Sequence, residues 1–244
     1  MSAARAAARN KPVIVIKAGR SAPGQKAAAS HTGALAGADA VHEAAIARAG
    51  MLRVGSLEQL FLAAEILTRF KAPVDRHLTI LTNGGGAGVL AADAAAAHGL
   101  PLADPGDALR RELDAVLRPG ESHANPVTLR GDAPAQHYVD ALQALARHPE
   151  ASGTLLFIHA PTAIVPATDV ARAMIPVIHP ADRRALPVVA AWMGGPAVAP
   201  ARQLFVDAGT ACYAMPEQAV AAIGMTEPGA GSDLKAIRTT ARKE

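Results

Sequence analysis

Two stretches of the 244-residue sequence combine reactive or anion-binding groups with an accessible backbone. His31 stands among Ser30, Thr32 and Gly33 in a run that reads as a loop before a helix. Small neighbours leave an imidazole reachable, and an imidazole that is neutral near pH 7 is a competent nucleophile toward phosphoryl groups. The alternative is an ordinary loop histidine, one of nine in the chain. The second stretch is Asn83, Gly84, Gly85, Gly86, Ala87 and Gly88, directly after the apolar run 78–81 and at the start of a helical stretch. Glycines permit close backbone approach, and the free N–H groups at a helix start form an anion site with the positive end of the dipole. The glycine offsets do not match a dinucleotide-binding fingerprint, and no Gly-Lys-Ser/Thr follows as in a P-loop. A tight strand-to-helix turn that binds nothing is the competing reading.

Residues 121–126 and 130–132, with Asn125, Pro126, Gly131 and Asp132, form the longest polar loop, which is either a binding loop or a solvated connection. Trp192, Met193, Gly194 and Gly195 make another strand-to-helix glycine turn, and the lone Cys212 reads as core packing. A single cysteine excludes an intramolecular disulfide and a multi-cysteine metal site, and fits a reducing compartment. No H-E-x-x-H, G-x-S-x-G or C-x-x-C occurs. With aromatics at 3% and the basic residues scattered, neither base stacking nor a basic patch supports nucleic-acid binding. No apolar run reaches membrane-spanning length, and the first ten residues lack a signal-peptide core, so a cytoplasmic location is expected.

The elements that would position these groups alternate strand and helix. Residues 11–17 read as a buried strand, 18–24 as a loop, 39–49 as a helix and 52–54 as a short strand. Ser56 and Gln59 have capping-box spacing ahead of a helix. After residues 71–73, which look like a linker, strands are expected at 78–81, 100–103, 154–160, 187–193 and 211–214. Helices are expected between them and at 216–224. This is an α/β pattern with right-handed crossovers, and five strands in about 150 residues suggest a flavodoxin-like, doubly wound parallel sheet. The chain thus divides into a partial α/β unit at 1–70, a complete unit at 75–225 and a tail at 226–244. Two strands cannot close a sheet of this kind, so the first unit should be completed by a partner or lie in a larger domain.

Assembled, these runs resemble the NDP-forming acyl-CoA synthetases, relatives of succinyl-CoA synthetase. The resemblance rests on Lys17-Ala-Gly-Arg-Ser21, Ala28-Ala-Ser-His-Thr-Gly-Ala-Leu-Ala-Gly37, Thr82-Asn-Gly-Gly-Gly-Ala-Gly88, Asn125-Pro-Val127 with Gly131-Asp-Ala133, and Trp192-Met-Gly-Gly195. They occur in the family's order over roughly residues 11–225. The resemblance implies that His31 is the transiently phosphorylated histidine, supported by Ser30, Thr32 and Gly33. It implies that residues 83–88 cradle the phosphoryl group, and that Asn125, Pro126, Gly131 and Asp132 lie near the acyl phosphate. It further implies use of CoA or acyl-CoA, ATP or ADP, phosphate and Mg²⁺ by a complete enzyme.

The departures matter too. The family's Ser-x-Ser-Gly loop, its CoA-binding domain and its ATP-grasp domain are not in this sequence. Thr128 stands where relatives commonly carry aspartate. The chain should therefore be inactive alone and act with a complementing domain or subunit. A non-catalytic, ligase-like regulatory domain of the kind attached to protein lysine acetyltransferases is the alternative. Whether copies form a homo-oligomer is left open by the sequence.

Overall fold

Runs of Ile, Val and Leu bounded by glycine turns form strands, and alanine-rich stretches between them form the crossover helices. The computed structural model describes residues 2–32, 38–70, 77–149, 153–181 and 186–226. It divides into two compact units, one of residues 1–67 with 225–244, the other of residues 68–224. The expected linker at 71–73 and, beyond Thr226, the expected tail at 226–244 lie outside the described residues.

In the first unit, β1 (Ile14–Ile16) and β2 (Leu52–Val54) pair in parallel, Val15 opposite Arg53. Helices α1 (Ser2–Asn10), α2 (Ala22–Thr32), α3 (Asp39–Arg48) and α4 (Leu57–Arg69) accompany them. Leu52, Val54 and Ala63 form the small core, with Ile14, Leu60 and Leu67 against it. Ser56 Oγ accepts from the Gln59 amide at 3.1 Å, while Gln59 Oε1 reaches back to the Gly55 amide at 2.7 Å. The capping box is therefore realised one residue earlier than its ideal form.

One segment differs from the sequence reading here. Residues 22–32 are helical, although 18–24 and the run around His31 read as loop. Ser21 Oγ accepts from the Gly24 amide at 3.2 Å and so caps the helix, and Pro23 falls in the first turn, where its missing N–H costs nothing. The N-terminal Ala/Arg stretch is likewise helical, with Ala8 buried.

The second unit carries β3 (Leu78–Thr82), α5 (Gly85–Ala97), α6 (Gly106–Val116), β4 (Val127–Thr128), α7 (Ala135–Arg147) and β5 (Thr154–His159). There follow α8 (Ala167–Ile178), β6 (Val188–Trp192), a 3₁₀ turn at Gly195–Val198, α9 (Ala199–Asp207), β7 (Ala211–Tyr213) and α10 (Pro216–Gly224). All strand pairs are parallel, in the order β4-β3-β5-β6-β7. This is the 2-1-3-4-5 order of a flavodoxin-like sheet, the fold class expected from the sequence.

One expected strand is corrected. Residues 100–103 contribute only an isolated bridge, Leu102 to Leu78, and the fifth strand is β4, from the polar loop. Leu81, Phe157, Trp192, Tyr138 and Phe205 centre the main core. Trp192 meets Phe157 and Phe205 edge to face, at 5.4 and 5.0 Å between ring centres. Cys212 is buried in β7, as expected.

Candidate functional site

In an open parallel sheet the binding crevice lies beyond the carboxyl ends of the strands, where the strand order reverses. Here the chain leaves β3 for β4 on one side and returns to β5 on the other, so the reversal falls between β3 and β5. Asn83 closes the two strand ends there: its Nδ2 donates to the Ala160 carbonyl and its Oδ1 accepts from the Ala160 amide, both at 2.8 Å. Thr82 Oγ1 accepts from the Gly84 amide at 3.0 Å. These bonds aim the start of α5 at the crevice.

The glycines of this turn divide into two kinds. A Cβ on Gly84 would stand 3.1 Å from the Ala160 methyl, and one on Gly88 would stand 3.1 Å from Thr82 Cγ2 and 3.2 Å from Pro126 Cβ. Close packing accounts for both. Among the described residues a Cβ on Gly86 would meet nothing within 4 Å, and one on Gly85 would meet Thr128 Cγ2 at 4.0 Å. Both are exposed in the first turn of α5, where helix geometry leaves amide hydrogens without intrahelical acceptors. Packing does not call for glycine at either position. An open turn with outward amides at the positive end of a helix dipole is suited to an anion. Ala87 follows them, partly buried.

The loop 117–133 flanks this turn. Asn125 uses its whole amide on backbone: Oδ1 accepts from the Ile80 amide at 3.0 Å, and Nδ2 donates to the Leu78 and Ala103 carbonyls at 2.7 and 3.0 Å. It anchors the loop to β3. Pro126, joined to Asn125 by a cis peptide, presses on Gly88. Gly131 faces the Thr162 methyl in the segment after β5. Asp132 pairs with Arg130 Nε at 3.0 Å, and this hydrogen bond holds its carboxyl below the ordinary aspartate range.

Sequence reasoning passed over the groups that organise this loop. Glu121 has a fully buried side chain that accepts from the amides of Arg118 at 2.8 Å and Arg130 at 2.9 Å and from His137 Nε2 at 2.7 Å. Burial alone would raise its pKa, yet these donors keep it below the usual glutamate range. His159 ends β5, and its ring lies 4.8 Å from that of Trp192 at the end of β6. Among the described residues His159 Nδ1 and Trp192 Nε1 have no hydrogen-bond partner, and burial holds the His159 pKa down at about 4. Spacing alone does not show such pairings, since Glu121 and His137 lie on different elements. The turn at Gly194 was legible: its φ of 114° and Pro161 at 2.7 Å from its Cβ position both demand glycine.

In the first unit, Ser30, His31 and Thr32 occupy the last turn of α2, and Gly33 lies outside the described residues. The ends of the segment that carries them are tied together by Arg20 Nε and Asp39 Oδ2 at 3.3 Å. Arg53, with 6% of its side chain exposed, binds both Asp39 and Glu43. Its hydrogen bond pulls the Asp39 carboxyl below the usual range.

Comparison with known proteins places this geometry among relatives. Residues 1–67 match the succinyl-CoA ligase like flavodoxin domain, and residues 78–232 match the Ligase-CoA domain. The chain is 37% identical over 223 residues to acetate–CoA ligase [ADP-forming] I subunit alpha of Pyrococcus furiosus, covering 91% of this chain and 48% of that protein. It is 36% identical over 145 residues to 4-hydroxybutyrate–CoA ligase [ADP-forming] of Nitrosopumilus maritimus, covering 59% of this chain and 21% of the relative. The dinucleotide-forming acetyl-coenzyme A synthetase 1 of Ca. Korarchaeum cryptofilum, solved with phosphate and ADP, superposes with a TM-score of 0.84 at 33% identity. That match covers 99% of this chain and 51% of the other. The chain spans about half the length of the alpha subunit it matches.

Proposed function

Because this chain belongs to the family of NDP-forming acyl-CoA ligases, we propose that it is the phosphoryl-relay portion of such an enzyme. The full reaction is acyl-CoA + ADP + phosphate ⇌ acid + CoA + ATP. Phosphate attacks the thioester carbonyl, forming an acyl phosphate and releasing CoA. A ring nitrogen of His31 then attacks phosphorus, and the carboxylate leaves. An ADP oxygen takes the phosphoryl group from the histidine, giving ATP and restoring the neutral ring. The resemblance of residues 28–37 to the family's histidine run supports His31 as carrier, with Ser30, Thr32 and Gly33 as its supporting loop. Residues 1–70 act as half of one ligase domain and 75–225 as a complete one. CoA, the nucleotide and its Mg²⁺ are assigned to complementing domains or a partner subunit.

The observation that carries this reading is the open pair Gly85 and Gly86 at the start of α5, beside the tightly packed Gly84 and Gly88. An outward-facing first turn binds a phosphoryl oxygen by direct N–H donation, in a crevice set by the strand order. Asn125 and Pro126 support that turn, and Gly131 with Asp132 completes the rim toward the acyl phosphate.

Two experiments test the proposal. Phosphate titrated to millimolar concentration should move the amide resonances of Gly85 and Gly86; a silent turn overturns the cradle. With a complementing subunit, acyl-CoA and labelled phosphate, the chain should acquire a base-stable, acid-labile adduct. His31→Ala should abolish it and His42→Ala should not. Full labelling of His31→Ala removes His31 as the carrier.

A further inference from the structure

Between α6 and α7 the chain makes a long excursion that returns through β4, and one buried carboxylate holds both of its ends. Glu121 Oε2 takes the amide of Arg118, where the excursion starts, and Oε1 takes that of Arg130, where it finishes. His137 Nε2, from the first turn of α7, bonds to Oε2. The side chains of Glu121 and His137 are 0% and 8% exposed, so nothing in solvent substitutes for these bonds. Between the two ends, Ser122 and Thr128 exchange backbone hydrogen bonds at 3.1 and 3.0 Å. Thr128 pairs with Thr82, and its methyl lies 4.0 Å from where a Cβ on Gly85 would stand; Pro126 is the wall against Gly88.

The α5 turn is therefore buttressed from one side by a loop whose span is fixed by Glu121. We propose that Glu121, held by His137, is a positioning residue for the anion cradle: it never meets the ligand, but sets the distance between the Pro126–Thr128 wall and the first turn of α5. The assignment rests on the cradle reading above and extends it to a residue outside the crevice. In metal sites, removing a group that orients a ligating side chain costs about 10–100-fold in affinity, and the lower end of that scale is the effect expected here. A purely structural role for Glu121 would lower stability and leave affinity untouched.

The test uses the full chain and inorganic phosphate, with two readouts. Trp192 fluorescence during urea unfolding gives the stability of this unit. The Gly85–Gly88 amide shifts give both the phosphate-free conformation of the turn and its half-saturating phosphate concentration. Glu121→Gln retains the shape but presents an NH₂ to one of the two backbone donors. It should shift the turn's amides without phosphate present and raise half-saturation by about tenfold. His137→Phe removes the third donor, leaves both backbone bonds, and should raise it by about threefold, a smaller share of the same effect. If Glu121→Gln does not fold, His137→Phe alone decides.

A fall in urea midpoint with unchanged turn shifts and unchanged half-saturation overturns the proposal. If the wild-type chain ignores phosphate, the cradle reading fails. The positioning claim is then decided by the phosphate-free shifts alone, which displacement supports and constancy refutes.

Discussion

Replacing Gly86 and Gly88 separately by alanine asks the same chemical change of two residues one half-turn apart and should give opposite results. At Gly86 the added methyl meets nothing within 4 Å among the described residues, and the residue is helical. The gain is the helix propensity of alanine over glycine, about 0.5–1 kcal/mol of added stability. At Gly88 the methyl would stand 3.1 Å from Thr82 Cγ2 and 3.2 Å from Pro126 Cβ. Thr82 is in β3 and Pro126 is fastened through Asn125, so neither neighbour yields freely, and overpacking should cost about 1–3 kcal/mol. Trp192, the one tryptophan of the chain and 1% exposed, reports the unfolding of this unit in urea. Phosphate at 100 times its dissociation constant should add about 2.7 kcal/mol to the wild-type chain. That increment should shrink in Gly86→Ala, whose methyl stands in the anion's approach. Equal destabilisation by both alanines, or an undiminished increment in Gly86→Ala, would refute the division of the glycines into packing and access.

Three further outcomes are expected. Asn83→Ala should strand the Ala160 amide and carbonyl and lower the urea stability of this unit by about 1–3 kcal/mol, with β5 still paired; a change below a few tenths denies the clamp its role. His159 is held near pKa 4 against about 6.5 unfolded, so between those values the unfolded chain binds more protons and stability rises with pH. The full difference is of order 3 kcal/mol, lost as the pH falls from about 6.5 to 4. His159→Phe should flatten that part of the Trp192-monitored profile; an unchanged slope contradicts it. Arg53→Met should return the Asp39 carboxyl toward the ordinary aspartate range in a carboxyl-carbon NMR titration, since its hydrogen bond is the main cause of the depression.

The long strands of the second unit were legible because each is a short, mainly apolar run bounded by turns. β4 was not, since two residues carry no periodicity and lie inside a polar loop. Leu100 and Leu102 read as a strand from their hydrophobicity. Their segment instead covers the beginning of β3, with Leu78 donating to the Pro101 carbonyl and Ala103 donating to the Leu78 carbonyl. In the first unit, Pro23 and Gly24 suggested a loop, although Ser21 before a first-turn proline is a helix start. The glycine turn stood out by composition. The partition of its glycines, and the Glu121–His137 pairing, arise from contacts between segments far apart in sequence.

The anchoring of Asn125 has a consequence for how this protein behaves at high concentration. Since β4 pairs with only two residues of β3, the rest of that side of β3 would be open edge, whose donors and acceptors attract any passing extended chain. Here the Leu78 carbonyl is taken by Ala103 and Asn125, the Ile80 amide by Asn125, and the Thr82 carbonyl by the Leu129 amide. The two-residue β4 occupies what lies between. A single side-chain amide thus imitates the strand that would otherwise be needed to seal this side of the sheet. Asn125→Ala should expose those groups and turn a self-limited edge into one that recruits other copies, seen as concentration-dependent light scattering.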